Sequence, residues 1–264
     1  MRLITYNVNS LAQRLPRLRA LLAEHAPDVV CLQETKCGPD SFPVEALRAA
    51  GYDAVHRSGG RWAGVAILAR ADLALDDVCA DLADEPDAAE ARWIEATVGG
   101  SLRVASVYVP NGRALGTPTF EAKLRFLEAM ARRAEQLADG RAVIAGDMNV
   151  CPANRDVWDV SQVHGATHVT PDERMRLQAV IDAGFVDAYR RVEPQESGFT
   201  WWDYRAGHFH KGFGLRIDLA LVSQPLVDRL TGARVDRDYR KPTKVRESKP
   251  SDHAPLIVDF DGPA

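Results

Sequence analysis

Seven polar residues stand where apolar runs give out: Asn7, Glu34, Tyr108, Asp147, Asn149, Asp252 and His253. Their types suit phosphate chemistry. Carboxylates can hold a hard cation, amides and a phenol can meet phosphate oxygens, and an imidazole can carry charge or a proton. Ala142 to Val150 shows the pattern best, an apolar run that ends in Gly146-Asp147-Met148-Asn149. Strand side chains alternate faces, so Asp147 and Asn149 are expected on one side, and Asn7 and Asn9 likewise. Gly146 leaves room for a close approach of backbone or ligand. A strand ending in a plain Asx turn is the competing reading of the Asp-x-Asn pattern. Glu34 also fits an edge-strand carboxylate, Tyr108 a cross-strand aromatic, Asp252 a turn residue and His253 a satisfied imidazole. Asp218 is different. Ile217, Leu219 and Leu221 around it imply burial, and a buried carboxylate is costly without a partner. A histidine is the natural one, held in one tautomer by the acid.

Such groups need a rigid scaffold, and the chain supplies strand patterns for one. Leu3 to Val8 and Asp28 to Glu34 read as strands around a helix marked by Leu15, Leu18, Leu21 and Leu22, a βαβ-type opening. A short helix is expected near Val44 to Ala50, then strands at Tyr52 to Arg57 and Gly64 to Arg70 around the Gly59-Gly60 turn. Arg92 to Val98 and Leu102 to Val109 suit a hairpin across Gly99-Gly100. Thr119 to Ala138 has a helical period closed by Gly140, and Pro171 starts a helix that leads to Ile181. Gly214 to Ser223 and Leu256 to Phe260 complete the strands. Strands outnumber helices, which favours two stacked sheets with helices outside over one wholly parallel sheet.

At 264 residues the chain suits one large α/β domain, and 46% hydrophobic with 27% charged residues is ordinary globular composition. Cys31, Cys37, Cys79 and Cys151 form no CxxC pair, so reduced thiols, no zinc site and a cytoplasmic location are expected. No run reaches membrane-spanning length. The net charge of -4 argues against indiscriminate nucleic-acid binding, yet Arg234 to Lys249 carries seven Lys/Arg against three Asp/Glu. Arg240, Lys241 and Lys244 there are candidate phosphate contacts. So are Arg205, His208, His210, Lys211 and Arg216, which interleave with Trp201, Trp202, Tyr204, Phe209 and Phe213. Of these aromatics, Trp202 or Tyr204 is expected in the core. His164 and His168, in the Cys151 to Thr170 loop, are further candidates to face substrate.

Six segments occur in the order of one known family: Thr5-Tyr6-Asn7, Leu32-Gln33-Glu34-Thr35-Lys36, Tyr108-Val109-Pro110-Asn111-Gly112, Gly146-Asp147-Met148-Asn149, Arg216-Ile217-Asp218 and Ser251-Asp252-His253. From Leu3 to Phe260 the chain resembles the exonuclease III branch of the endonuclease/exonuclease/phosphatase superfamily. The resemblance implies an α/β fold of DNase I type, a four-layer αββα sandwich in a single domain, 1–264. It also implies a Mg²⁺-dependent phosphodiesterase, with Mn²⁺ as an alternative metal, that repairs abasic sites and damaged 3′ ends. The partner would be double-stranded DNA, and the enzyme a monomer. Glu34 would be the main metal ligand, with Asn7 and Asp252 close by and Asn9 an outer ligand. Asp147 would orient or deprotonate the attacking water, with Asn149 beside it, and Tyr108 would contact the phosphate. Asp218 and His253 match a carboxylate–imidazole pair. Arg113 matches a DNA-contacting loop residue, and Trp201, Leu215 and Ile217 match the walls of a slot for a base-less sugar. Two departures stand out: Ser10 replaces a common Gly, and Asn9 replaces the Asp of some relatives. Two rival readings remain at this point. One is a phosphoesterase acting on an inositol phosphate, a sphingolipid or undamaged DNA, and the other a non-catalytic DNA-binding module.

Overall fold

The computed structural model describes residues 1–59, 61–163, 165–242 and 248–263. Gly60, His164 and Lys244, named above, lie outside them. Twelve strands are present among these residues. They are β1 (Arg2–Asn7), β2 (Val29–Gln33), β3 (Tyr52–Arg57), β4 (Val65–Arg70), β5 (Leu75–Cys79) and β6 (Trp93–Val98). Then come β7 (Leu102–Tyr108), β8 (Ala142–Asp147), β9 (Phe185–Asp187), β10 (Asp218–Ser223), β11 (Leu230–Val235) and β12 (Leu256–Phe260). They form two six-stranded sheets, ordered β11-β12-β1-β2-β4-β3 and β5-β6-β7-β8-β10-β9. The main helices are α1 (Leu11–His25), α2 (Pro118–Leu137) and α3 (Pro171–Asp182).

Each sheet is apolar on both faces, so each needs cover on both. Between the sheets, Leu3, Cys31, Ile67 and Val258 meet Ile94, Val104, Val143 and Ala220. Outside the first sheet, Leu18, Leu21 and Leu22 of α1 cover Ile4, Val30, Leu68 and Ile257. Outside the second, Phe126, Leu127 and Met130 of α2 and Leu177 of α3 cover Val107, Ile144 and Leu219. The result is the αββα sandwich. Local chemistry sets the helix starts. Thr117 caps α2 by accepting from Phe120 N, with Pro118 in the first turn. Thr170 and Glu173 form a reciprocal capping box on α3.

Two crossovers decide where the site falls. α1 joins β1 to β2, which pair in parallel, and α2 joins β7 to the parallel β8. Parallel neighbours end on the same side, so Asn7, Gln33, Tyr108 and Asp147 finish at one edge of the sandwich. β10 runs antiparallel to β8 and begins there, with Asp218 opposite Asp147.

Candidate active site

At this edge the Asn7 amide bridges the two sheets. Its Nδ2 donates to Glu34 Oε1 at 2.8 Å and to Asp147 Oδ2 at 2.9 Å. Glu34 lies just past β2, at φ 50°, with its second oxygen 2.8 Å from Lys36 Nζ. Lys36 also donates to Asn9 Oδ1 at 2.6 Å, and Asn9 Nδ2 donates to Asp252 Oδ1 at 2.9 Å. The other Asp252 oxygen accepts from Trp201 Nε1 at 3.0 Å. Asp252 thus joins the cluster through Asn9 and Lys36. Behind Asp147 stands His253, its Nδ1 2.8 Å from Asp218 Oδ2 and its Nε2 3.8 Å from Asp147 Oδ2.

The sharp turns that present these groups share one device. Asn7 Oδ1 accepts from Asn9 N, Asp147 Oδ1 from Asn149 N, and Asn111 Oδ1 from Arg113 N. The third residue of each has positive φ: 44° at Asn9, 50° at Asn149 and 53° at Arg113. The Asx-turn reading is therefore correct. It replaces the expectation that Asp147 and Asn149 share a strand face, because β8 ends at Asp147. Turn and site are not alternatives here. The Asx turn is what lifts Asn149 to the site, where it accepts from Asn111 Nδ2 and donates to Val109 O. Gly146 is needed for backbone, since a Cβ there would lie 1.9 Å from Val107 O. Ser10 sits at φ 90°. That strain is held by Ser10 N donating to Glu34 O and Leu11 N to Thr35 O.

Burial lifts the Asp147 carboxyl to about 7, helped by Asp218 and Glu34 and opposed by His253. Burial opposes charge on His253 as well, yet Asp218, Asp147 and Asp252 raise it to about 10. For Asp252, burial pushes upward, but His253 and hydrogen bonds from Asn9 and Trp201 hold it below the usual carboxylate range. Burial and the charges of Glu34 and Asp147 raise the Tyr108 phenol, so it stays protonated. At neutral pH the site holds an imidazolium among carboxylates and one acid poised to exchange a proton.

Ligand atoms of Glu34, Asp147 and His253 lie within 4.8 Å of one another. His253 already spends Nδ1 on Asp218 and favours its charged form, which cannot ligate a metal. The oxygens of Glu34 and Asp147 remain, a donor set that fits a hard divalent cation.

A sequence profile described as the Endonuclease/Exonuclease/phosphatase family matches residues 4–253. The exodeoxyribonuclease III of Haemophilus influenzae is 32% identical over 98% of this chain and 100% of its own length. The chain belongs to the endonuclease/exonuclease/phosphatase family, in its exonuclease III branch. Solved structures agree. The 3′ phosphatase NExo from Neisseria, bound to a product DNA hairpin, superposes with a TM-score of 0.93 at 37% identity, covering 99% of this chain and 100% of that one. An AP endonuclease from Archaeoglobus fulgidus gives 0.92 at 33% identity, with the same coverage of both chains.

Against this family background, most sequence-named residues converge and a few do not. Trp201, Leu215 and Ile217 pack in one apolar cluster with Val157, Val163 and Val169, and Trp201 forms bridges to both Leu215 and His253. Arg113 shares a cavity wall with Glu34, Tyr108 and Asn111. Trp202 is core, whereas Tyr204 is half-exposed. Arg216 is no phosphate contact. It is buried, with Nε 2.6 Å from Asp156 and Nη1 2.8 Å from Asp187. Arg240 is not on a solvated face but nearly buried, stacked on Tyr204 and Phe209.

Two supports escaped the sequence reading, and His168, named there, lies beneath the site. Thr200 Oγ1 accepts from Ile217 N and Asp218 N, fixing the start of β10. Lys123 Nζ donates to Asn111 O and Asn149 O and pairs with Glu173, tying two of the Asx turns together. Its signal was available, because Lys123 falls on the apolar stripe of α2 between Phe120 and Leu127. His168 joins this network at Asn149 O.

Proposed function

We propose that this chain is a metal-dependent DNA repair nuclease that hydrolyses phosphate esters at 3′ ends and phosphodiesters at abasic sites. The observation that carries the reading is the convergence of Asn7, Glu34, Asp147, Asp218 and His253 from two sheets on one point. Glu34, with Asn7 beside it and Asp252 nearby through Asn9, would hold Mg²⁺ or Mn²⁺. Such a cation supplies polarisation of the phosphoryl oxygen and charge relief at the leaving 3′ oxygen.

The protein's own groups do the rest. Asn7 fixes the Asp147 carboxylate, which faces the attacking water and accepts its proton, a task suited to an acid that titrates near 7. Asp218 keeps His253 charged, and the imidazolium stabilises negative charge that grows on the non-bridging oxygens. The Tyr108 phenol and the Asn149 amide donate to the same phosphate. Arg113 contacts the strand, and the Trp201, Leu215 and Ile217 cluster receives the sugar of the terminal or base-less nucleotide. The reading takes 1–264 as one domain acting as a monomer in the cytoplasm. No helix among the described residues is long and apolar enough to cross a membrane.

Relatives named as a 3′ phosphatase and a 3′-5′ exonuclease, at 37% and 39% identity, support 3′-end processing beside abasic incision. The test offers duplexes bearing a 3′-phosphate, a recessed 3′ end or an internal abasic analogue, with Mg²⁺, Mn²⁺ or EDTA. Turnover should require the metal and fall by orders of magnitude in Glu34→Gln, at an unchanged melting temperature. EDTA-resistant activity, or turnover of inositol phosphates in place of DNA, would reject the reading.

A further inference from the structure

Next to the acid cluster lies a cavity of about 440 Å³ walled by Arg14, Asp203, Tyr204, His208, Arg240 and Lys249, among others. It is one residue removed from Asp252. Arg14 Nη1 donates to Asn9 O at 2.7 Å, and the Asn9 amide donates to Asp252. Arg14 and Arg240 are each only 6% exposed. A guanidinium so placed is costly unless an anion compensates it. Among the described residues, every hydrogen bond Arg14 makes goes to a neutral acceptor: Asn9 O, Gln13 Oε1, Tyr204 Oη and Pro250 O. Among the same residues Arg240 makes one, from Nη2 to Trp202 O at 3.3 Å, and rests on the rings of Tyr204 and Phe209 at 4.9 and 5.1 Å. The Nε atoms of both arginines have no acceptor among the described residues. Asp203, the acid of the wall, is taken by Arg205.

Arg216 shows what a compensated arginine looks like in this fold, similarly buried but carrying two carboxylates. Arg14 and Arg240 have the burial without a directly paired carboxylate, and Asp252 and Asp203 act on Arg240 only from a distance. Stacking on Tyr204 and Phe209 fixes the Arg240 plane, which pre-organises its fork for a tetrahedral oxyanion. We infer that this cavity is a phosphate subsite, in which Arg14 and Arg240 receive a backbone phosphate of the bound strand other than the one hydrolysed. The inference rests on the nuclease reading and adds to it the path of the strand past Asp252. Lys249 and His208 at the wall extend the positive surface that such a strand would follow.

The test compares wild type, Arg14→Gln, Arg240→Gln and Arg240→Lys. The readouts are 3′-phosphate cleavage kinetics and metal-free duplex binding from about 50 to about 200 mM salt. KM should rise about tenfold in each Gln variant, with a smaller effect on kcat, and Arg240→Lys should recover part of the loss. The slope of log K against log salt should flatten by about one unit for each phosphate no longer held. Melting curves run with every variant. If Arg240→Gln fails to fold, Arg14→Gln and Arg240→Lys still carry both readouts. Unchanged KM and slope in the folded variants would overturn the subsite. So would inorganic phosphate raising the melting temperature of wild type but not of Arg240→Gln while duplex KM and slope stay equal, which would make the ligand a free phosphate. A wild type that cleaves no DNA would instead defeat the nuclease reading, and the binding slopes would still read the subsite.

Discussion

Arg216 and Asp218 are two residues apart, both buried and both of ionisable type, yet their surroundings are opposite. Arg216 pairs with Asp156 and Asp187, and Arg190 also reaches Asp156, at 2.7 Å, so two guanidinium groups meet two carboxylates. Burial alone would favour the neutral form, and those acids more than reverse it. Asp218 has one partner, His253, while its second oxygen has none among the described residues. Beyond His253 lie Asp147, Glu34 and Asp252, so acid outweighs base on that side. Balanced buried charge holds structure. Unbalanced buried charge shifts titrations and waits for a cation or a phosphate, which is the mark of a functional site.

The comparison can be broken first at Asp218. Asp218→Asn and His253→Asn should each lower kcat by about 10²- to 10⁴-fold, and the double variant should lose little more, because the two act as a unit. Each single variant leaves a buried group without its partner, so Tm should fall as well, and kcat is compared at a temperature where every variant is folded. Additive losses in the double variant would dissolve the pair. Arg216→Met should do the reverse. It strands Asp187 and leaves Asp156 with Arg190 alone, costing about 3–5 kcal/mol, and lowers Tm by roughly 6–20 °C while kcat survives at permissive temperature. A drop of only a degree or two would show that the ion pairs are not what holds this corner.

The smallest effect sharpens the balanced class further. Burial would raise Glu173, but Lys123 and hydrogen bonds from Thr170 and His168 hold it at about 2, below its ordinary value of 4.5. A depressed folded pKa gives stability that is complete above the unfolded value and lost as pH falls toward the folded one. Wild type should therefore exceed Glu173→Gln by roughly 3 kcal/mol at neutral pH, and the gap should close between about pH 5 and pH 2. A gap that stays constant across this window would mean that Glu173 is not charged in the fold.

The frame of the protein was legible wherever one face or period dominated. The spacing of Leu18, Leu21 and Leu22 shows α1, and the alternation ending at Asn7 and at Asp147 shows β1 and β8 to within a residue or two. Of the edge strands only β3 was legible, at Tyr52 to Arg57. β5 reads Leu-Asp-Asp-Val-Cys and β9 has three residues, so neither carries enough apolar pattern to separate it from loop. Asp218 was recognisable as a partnered acid because Leu219 and Leu221 leave a carboxylate no solvent.

Roles that depend on where a charge ends up were not legible. Arg216 and Arg240 have the same residue type and both lie in basic stretches near aromatics. Only the packing sends one to a pair of aspartates and leaves the other short of an anion. By itself the sequence determined the strands, the acids and amides at their ends, and the family, because these follow from short-range periodicity and motif order. The tertiary structure alone decided which of those charges are balanced. Coulomb energy in a poorly solvated interior depends on distances of a few ångströms between residues far apart in the chain, as with Asp147 and His253, and no local pattern encodes such distances.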